Sequence, residues 1–243
     1  MVSEISLPQD FQTNFLMFLR WIHFVAGIIF LGLGYFFNLI HLPFMKNADP
    51  ATRAKILPGL VLPALHWFRW SSVVAVLAGL AYWGSIVGSD AHNAGAAPTT
   101  PLVSFLLIWT LTWALMYALL IPGKGIFNKG WFLAILYVVI IASSAYLYLR
   151  LNSHGWESNR LLSIGIGGGV GWVMMFNDWG VIWRIQKRII GWSKASVENG
   201  TPMPEQSARM ARMALLASRT NFYLSFPLLF FMGAASHYPM FGG

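Results

Sequence analysis

FLMFLRWIHFVAGIIFLGLGYFFNLI, residues 15–40, is the stretch that decides the fold. Its one charged residue is Arg20, and it exceeds the ~20 apolar residues that carry a helix across a ~30 Å hydrocarbon layer. In lipid every backbone N–H and C=O needs a partner within the chain, which a helix supplies and an isolated strand does not. The same pattern returns near residues 60–87, 101–121, 131–149, 161–183 and 221–236. The expectation is an all-α, polytopic membrane protein. It forms one integral membrane domain over residues 1–243, a bundle of six transmembrane helices with a long connection before the last helix.

Composition agrees. Of 243 residues, 57% are hydrophobic and 10% charged; a soluble domain carries about 25% charge, so this chain has too little polar surface to clothe a soluble core. A net charge of +8 would suggest nucleic acid in a soluble protein. Here the cations lie between apolar segments, so topology accounts for them and no nucleic-acid partner is expected. Cysteine is absent, which excludes disulfides, thiolate metal sites and covalent haem attachment. Residues 1–14 hold Glu4 and Asp10 and lack a basic region or cleavage site, so the first apolar segment is expected to be retained.

Charge also orients the segments. Lys46, Arg53, Lys55, Lys124, Lys129, Arg184, Lys187, Arg188, Lys194, Arg209, Arg212 and Arg219 follow segments one, three and five, whereas Arg20, Arg150 and Arg160 lie near the other surface. The positive-inside rule places the first set in the cytoplasm and both termini outside. Turn signals sit at residues 47–50, 122–125 and 152–155, and residues 89–100 read as a small-residue connection. Within 184–220, the run 205–218 is rich in helix formers. Two readings are open: it continues into the last span as one long helix with a kink at Pro227, or it starts as an amphipathic helix lying on the membrane surface, with Arg209 and Arg212 alternating with Met210, Met213 and Leu216.

Six histidines are present. His92 and His154 read as solvent-facing in outer connections, and His41 as interfacial. His23, His66 and His237 lie in or near apolar spans, where an ionisable side chain is costly unless paired or liganded. At 1.5 Å per residue, His23 lies roughly 10 Å from the outer boundary, and His237 approaches the same side, so these two are the preferred axial pair for one haem. His66 approaches from the opposite side and is the reserve ligand. The cluster Gly165, Gly167, Gly168, Gly169 and Gly171 fits close helix packing or the face of a flat cofactor. Asp178 and Arg219 are expected at matching depth as an ion pair, and are the candidate substrate-contacting residues. Near them, His66, Trp67, Arg69 and Trp70 offer an imidazole, a cation and aromatic surface for a quinone, a haem propionate or an anionic planar substrate.

These landmarks carry a family resemblance. Arg20-Trp21-Ile22-His23, the run from Leu65 to Trp70, Trp179–Ile182 with Trp183, Gln186 and Lys187, and Ala217-Ser218-Arg219-Thr220-Asn221 with Ser225, Pro227 and the run from Phe230 to His237 are similar to the membrane domain of bacterial membrane-bound, cytochrome-c-linked urate hydroxylases (urate oxidases). The resemblance covers spans one, two, five and six. It implies a multi-pass protein of the bacterial inner membrane that oxidises urate or a related small reductant. It further implies that electrons pass through haem b towards a cytochrome c. This sequence holds no Cys-Xaa-Xaa-Cys-His site, so a separate cytochrome c or other redox subunit of a membrane complex is the expected partner. The alternatives are a quinone-reactive anchor of a respiratory complex, a cofactor-free structural subunit and a transporter. Soluble-enzyme motifs such as a P-loop, a zinc-protease helix or a nucleophile elbow are absent.

Overall fold

The structure, a computed structural model, describes residues 6–123 and 125–241; Lys124 lies outside the described residues. Among these the chain forms six long helices and no strand. They are α1 (Phe11–Asn47), α2 (Pro50–Ala94), α3 (Thr99–Leu120), α4 (Gly130–Leu151), α5 (159–199) and α6 (Ser207–His237). The first four are long and apolar enough to cross a membrane.

Local chemistry sets the helix ends. Asp10, Asp49 and Ser158 each accept a hydrogen bond from the backbone N–H three residues on, satisfying a donor that the first turn leaves free. Pro50 follows Asp49 at the first helical position, where its missing N–H costs nothing. Gly95 ends α2 at φ 64°, with Ala96 N–H bonded to Ala91 O and Gly95 N–H to His92 O. That is a Schellman closure, and the left-handed residue it needs is easiest for glycine. Three π-helical turns interrupt the rods: Phe36–His41 in α1, Leu57–Val61 in α2 and Asp178–Trp183 in α5. Pro58 lies inside the second and Pro43 just past the first, so the looser turn accommodates a missing donor.

Two expected connections are corrected. Residues 89–100 are mostly helix, because α2 runs on to Ala94 and the break is closed by Gly95. The long connection before the last helix is also short. Arg184–Asn199 extends α5 without a gap, and only 200–206 joins it to α6. The extension is amphipathic: Ile185 and Ile190 are buried, while Arg184, Lys187 and Arg188 are exposed. Of the two readings of 205–218, the long helix into the last span is present as α6, with Pro227 inside it.

The centre of the bundle is the first part of α5. Thirteen of the nineteen residues of Asn159–Asn177 are buried, packed by α6, α2 and α3, while α1 pairs with α2 and α4 with α3. The glycine cluster explains how. Trp109 of α3 occupies the space a Cβ at Gly169 would need, and Tyr148 of α4 does the same at Gly165. On another face, a Cβ at Gly167 would lie 3.0 Å from Phe231 Cβ and 3.3 Å from Leu228 O of α6. The glycines are thus covered by aromatic side chains and a neighbouring helix, the close-packing role of small residues between membrane helices.

Hydrogen bonds fix the register. The α2–α5 pair is antiparallel from His66 beside Trp183, through Ser72–Asp178 and Trp83–Leu161, to Asp90–Ser158. That ladder spans about 36 Å at 1.5 Å per residue. The α5–α6 pair is antiparallel from Asn177–Asn221 to Asn159 beneath Ala234 and Ala235. For α1 and α6 the markers are Asn38–Ser218 and Tyr35–Ser225.

Candidate functional site

Near the basic end, α2 and the π-helical turn of α5 bring four groups together. Asp178 opens the turn and is fully buried, at 0% exposure. Its Oδ2 accepts a 3.0 Å hydrogen bond from Ser72 Oγ, and Oδ1 has no partner. Arg69, one turn before Ser72, lies in an indole cage. Its guanidinium carbon is 4.0 Å from the Trp183 ring centre, 4.7 Å from Trp179 and 5.0 Å from Trp70. Each indole face is an attractive surface for a cation away from water. Trp179 is locked by its Nε1–H, which donates to Arg69 O at 3.1 Å. Arg69 Nε is buried without a hydrogen-bond partner.

In front of this cage His66, Trp67 and Trp70 line a hollow that opens on the outer surface of the bundle. Trp67 is 66% and Trp70 52% exposed. His66 Nδ1 contacts Leu62 O at 2.9 Å, and its ring meets Trp183 edge to face with centres 4.6 Å apart. Of the residues grouped from sequence, His66 and Trp67 line the hollow, while Arg69 stands in the indole cage and not in the lining.

A polar seam runs beside it between α1, α5 and α6. Tyr35 OH bonds Ser225 Oγ at 3.0 Å, Asn38 Nδ2 donates to Ser218 Oγ at 3.0 Å, and Asn177 Nδ2 donates to Asn221 Oδ1 at 3.1 Å. Together with Phe30 and Phe68 these residues line a narrow cleft. Ser72, Tyr35 and Asn38 were missed from sequence. A lone asparagine in an otherwise apolar helix was the available signal for Asn38.

Two expected pairs meet at the right height and on the wrong faces. Arg219 is exposed, and among the described residues the ion pairs are His154–Glu157 and Lys194–Glu198. Asp178 is thus paired with Ser72 and not with Arg219. Arg219 stands one turn from Tyr223 and two from Phe226 on the outward stripe of α6. His23 and His237 lie equally far along their helices from the Tyr35–Ser225 contact, so they are level. His23, however, is turned towards α2: its Nδ1 contacts Ala75 O at 2.7 Å and its ring packs on Gly79, where a Cβ would lie 2.8 Å away. His237 is exposed at the end of the outward stripe. Among the described residues no group of three or more His, Asp or Glu side chains is placed to hold a metal ion.

At the opposite end His154 is exposed, as expected, and it also holds a buried partner. Its N–H and Nδ1 hold the carboxylate of Glu157, at 3.0 and 2.6 Å, and Glu157 is 4% exposed.

Among the described residues the fold is all-helical, with four helices long and apolar enough to cross a membrane and a caged arginine near a buried carboxylate. No known family, curated protein or solved structure matches the chain.

Proposed function

We propose that this protein is a six-crossing redox subunit of an inner-membrane complex that binds the headgroup of a lipid-soluble quinone at the His66–Trp67–Trp70 hollow. The observation that carries the reading is the hollow itself: aromatic walls facing the surroundings of the bundle, with a caged cation behind them. A planar ring stacks on indole, and a ligand dissolved in the bilayer reaches such a site from the side. Reduction of a quinone takes two electrons, supplied by a redox partner subunit, and two protons, one for each carbonyl oxygen. His66 Nδ1–H is taken up by Leu62 O, so it is as the imidazolium that His66 donates through Nε2 to one carbonyl, returning to neutral as that proton leaves. The Arg69 guanidinium favours negative charge developing on the ring, and Asp178 is the carboxyl nearest to hand a proton onward.

Support for six crossings comes from the register. The ladders that tie α5 to α2, and α6 to α5, follow an apolar crossing helix over most of its length. The cations at the ends of α1, α3 and α5 then occupy the cytoplasmic side, with both termini outside.

Titrating the purified protein with decylubiquinone and following tryptophan quenching tests the site. Saturable quenching is expected, weakened at least tenfold by Arg69→Gln and by His66→Ala. Quenching that is unsaturable, or equal in all three proteins, ends the quinone reading.

A haem b subunit, oxidising urate or a related small reductant and passing electrons to a cytochrome c, is the second reading. His23 carries it: an Nδ1 tied to a carbonyl is how metal-bound imidazoles are held. His237 faces elsewhere, so the second axial ligand then has to come from another chain of the complex. A reduced-minus-oxidised spectrum of the native complex without a Soret band overturns it.

A further inference from the structure

The exposed cations at the basic end do more than set orientation. Beyond its π-helical turn α5 carries Arg184, Lys187 and Arg188 at spacings of three and four, which places them along one helix face, and all three are exposed. The other face is occupied: Ile185 and Ile190 are buried against the neighbouring segments. Among the described residues none of the three has an ion-pair partner, and Glu198, the acid of the extension past Trp183, is 3.8 Å from Lys194.

Their height follows from two hydrogen bonds. Arg209 Nη2 donates to Ile121 O at 2.8 Å, just past the end of the apolar helix α3, so that turn of α6 is level with the edge of the hydrocarbon layer. Asn177 bonded to Asn221 sets the register of α5 against α6. Arg209 lies twelve residues before Asn221, and the position twelve after Asn177 is Ile189. Lys187 and Arg188 are therefore level with the edge of the layer, and Arg184 lies within about 8 Å of it on the apolar side. A long cationic side chain covers that distance by extending to the interface, where the headgroup layer is roughly 5–7 Å deep on each side.

We infer that the Arg184–Lys187–Arg188 face binds the phosphate headgroups of anionic phospholipids. Three unpaired cations at headgroup height complement a phosphodiester, and the arginines offer the paired N–H donors that phosphate oxygens accept. The inference rests on the membrane placement of the bundle and is independent of the quinone hollow.

Native mass spectrometry of the full chain, released from mixed micelles of phosphatidylglycerol and phosphatidylcholine of matched acyl chains, tests it. Wild type is expected to retain phosphatidylglycerol preferentially. Each Lys or Arg changed to Gln is expected to lower that preference about fivefold. The triple variant Arg184→Gln/Lys187→Gln/Arg188→Gln should abolish it, whereas Arg184→Lys/Lys187→Arg/Arg188→Lys should keep it. If the triple variant does not fold, the single change Lys187→Gln decides by the same measure. Equal retention of both lipids by wild type, or an unchanged preference in the Gln variants, overturns the inference. So does loss of the preference on adding inorganic phosphate at millimolar concentration, which would make the face a site for a soluble anion.

Discussion

Asp178 keeps one carboxylate oxygen on Ser72 and leaves the other unpartnered, so its surroundings are asymmetric. Ser72→Ala removes its one hydrogen-bond donor and is expected to destabilise the protein by about 1–3 kcal/mol, the cost of leaving a buried acceptor unmet. A double-mutant cycle in chemical unfolding should give a coupling of roughly 0.5–3 kcal/mol between Ser72→Ala and Asp178→Asn. Between Asp178→Asn and Arg219→Gln it should stay within about 0.5 kcal/mol of zero. A large second coupling would contradict the separation of those charges. The contrast shows what was legible at this scale. Counting residues along a rod gives height directly, so the sequence alone sets Asp178 level with Arg219 and His23 level with His237. Which way each side chain points was hidden. Segments apolar nearly all round carry almost no stripe, so their rotation is set by neighbours that the sequence of one helix does not name. His66, Trp67 and Arg69 came out together because they share one helix turn and needed no rotation between helices.

Helices here are positioned by what their glycines admit. Gly169→Ala places a methyl group where Trp109 packs, and Trp109 is 0% exposed. A loss of about 1–3 kcal/mol or more is expected from overpacking, measured as a lower midpoint of thermal unfolding in detergent. Gly88→Ala, where a Cβ meets nothing within 4 Å, should instead stabilise by roughly 0.5–1 kcal/mol through reduced chain entropy. If both changes act alike, the packing account of the glycine cluster is wrong. The start of α2 offers a pH test. Hydrogen bonds from the Thr52 hydroxyl and then its N–H hold the Asp49 carboxyl below its usual value of 3.8. Its contribution is therefore complete above that usual value and is lost as pH falls through the lower folded one. Hydrogen exchange of the Thr52 and Arg53 amides should quicken, after correction for intrinsic rates, only below that range. From sequence Asp49-Pro50 reads as a turn and the apolar segment begins near residue 60, so the helix start at Pro50 was not legible; nor was the extension of α5 past Trp183, which runs through Gly191 and ends only at Gly200.

For the whole molecule the decisive question is which loops share a side. Cysteines introduced at His92 and Ser196, in a chain with no natural cysteine, should label with a membrane-impermeant reagent from opposite sides of sealed vesicles. Equal labelling of both positions would refute the odd number of crossings, three on this reading, between 92 and 196. Four apolar helices were legible from hydropathy alone. The remaining two were harder, because α5 gives up apolar mass to glycine and α6 begins with polar turns; only the tertiary register shows them running the full length of their neighbours.

The helix at the centre of the bundle is therefore one of the two whose apolarity alone does not carry it into a membrane. Asn159–Asn177 is rich in glycine, which forms helices poorly, and its shape is completed by Trp109 and Tyr148 from segments made earlier. On the six-crossing reading, biosynthesis has an order built into it. The first four helices insert on their own apolarity and present a lined groove, and the fifth settles there as their client, with the sixth closing over it. A glycosylation reporter placed after this segment should show efficient crossing behind residues 1–158, and poor crossing when the segment follows an unrelated apolar helix.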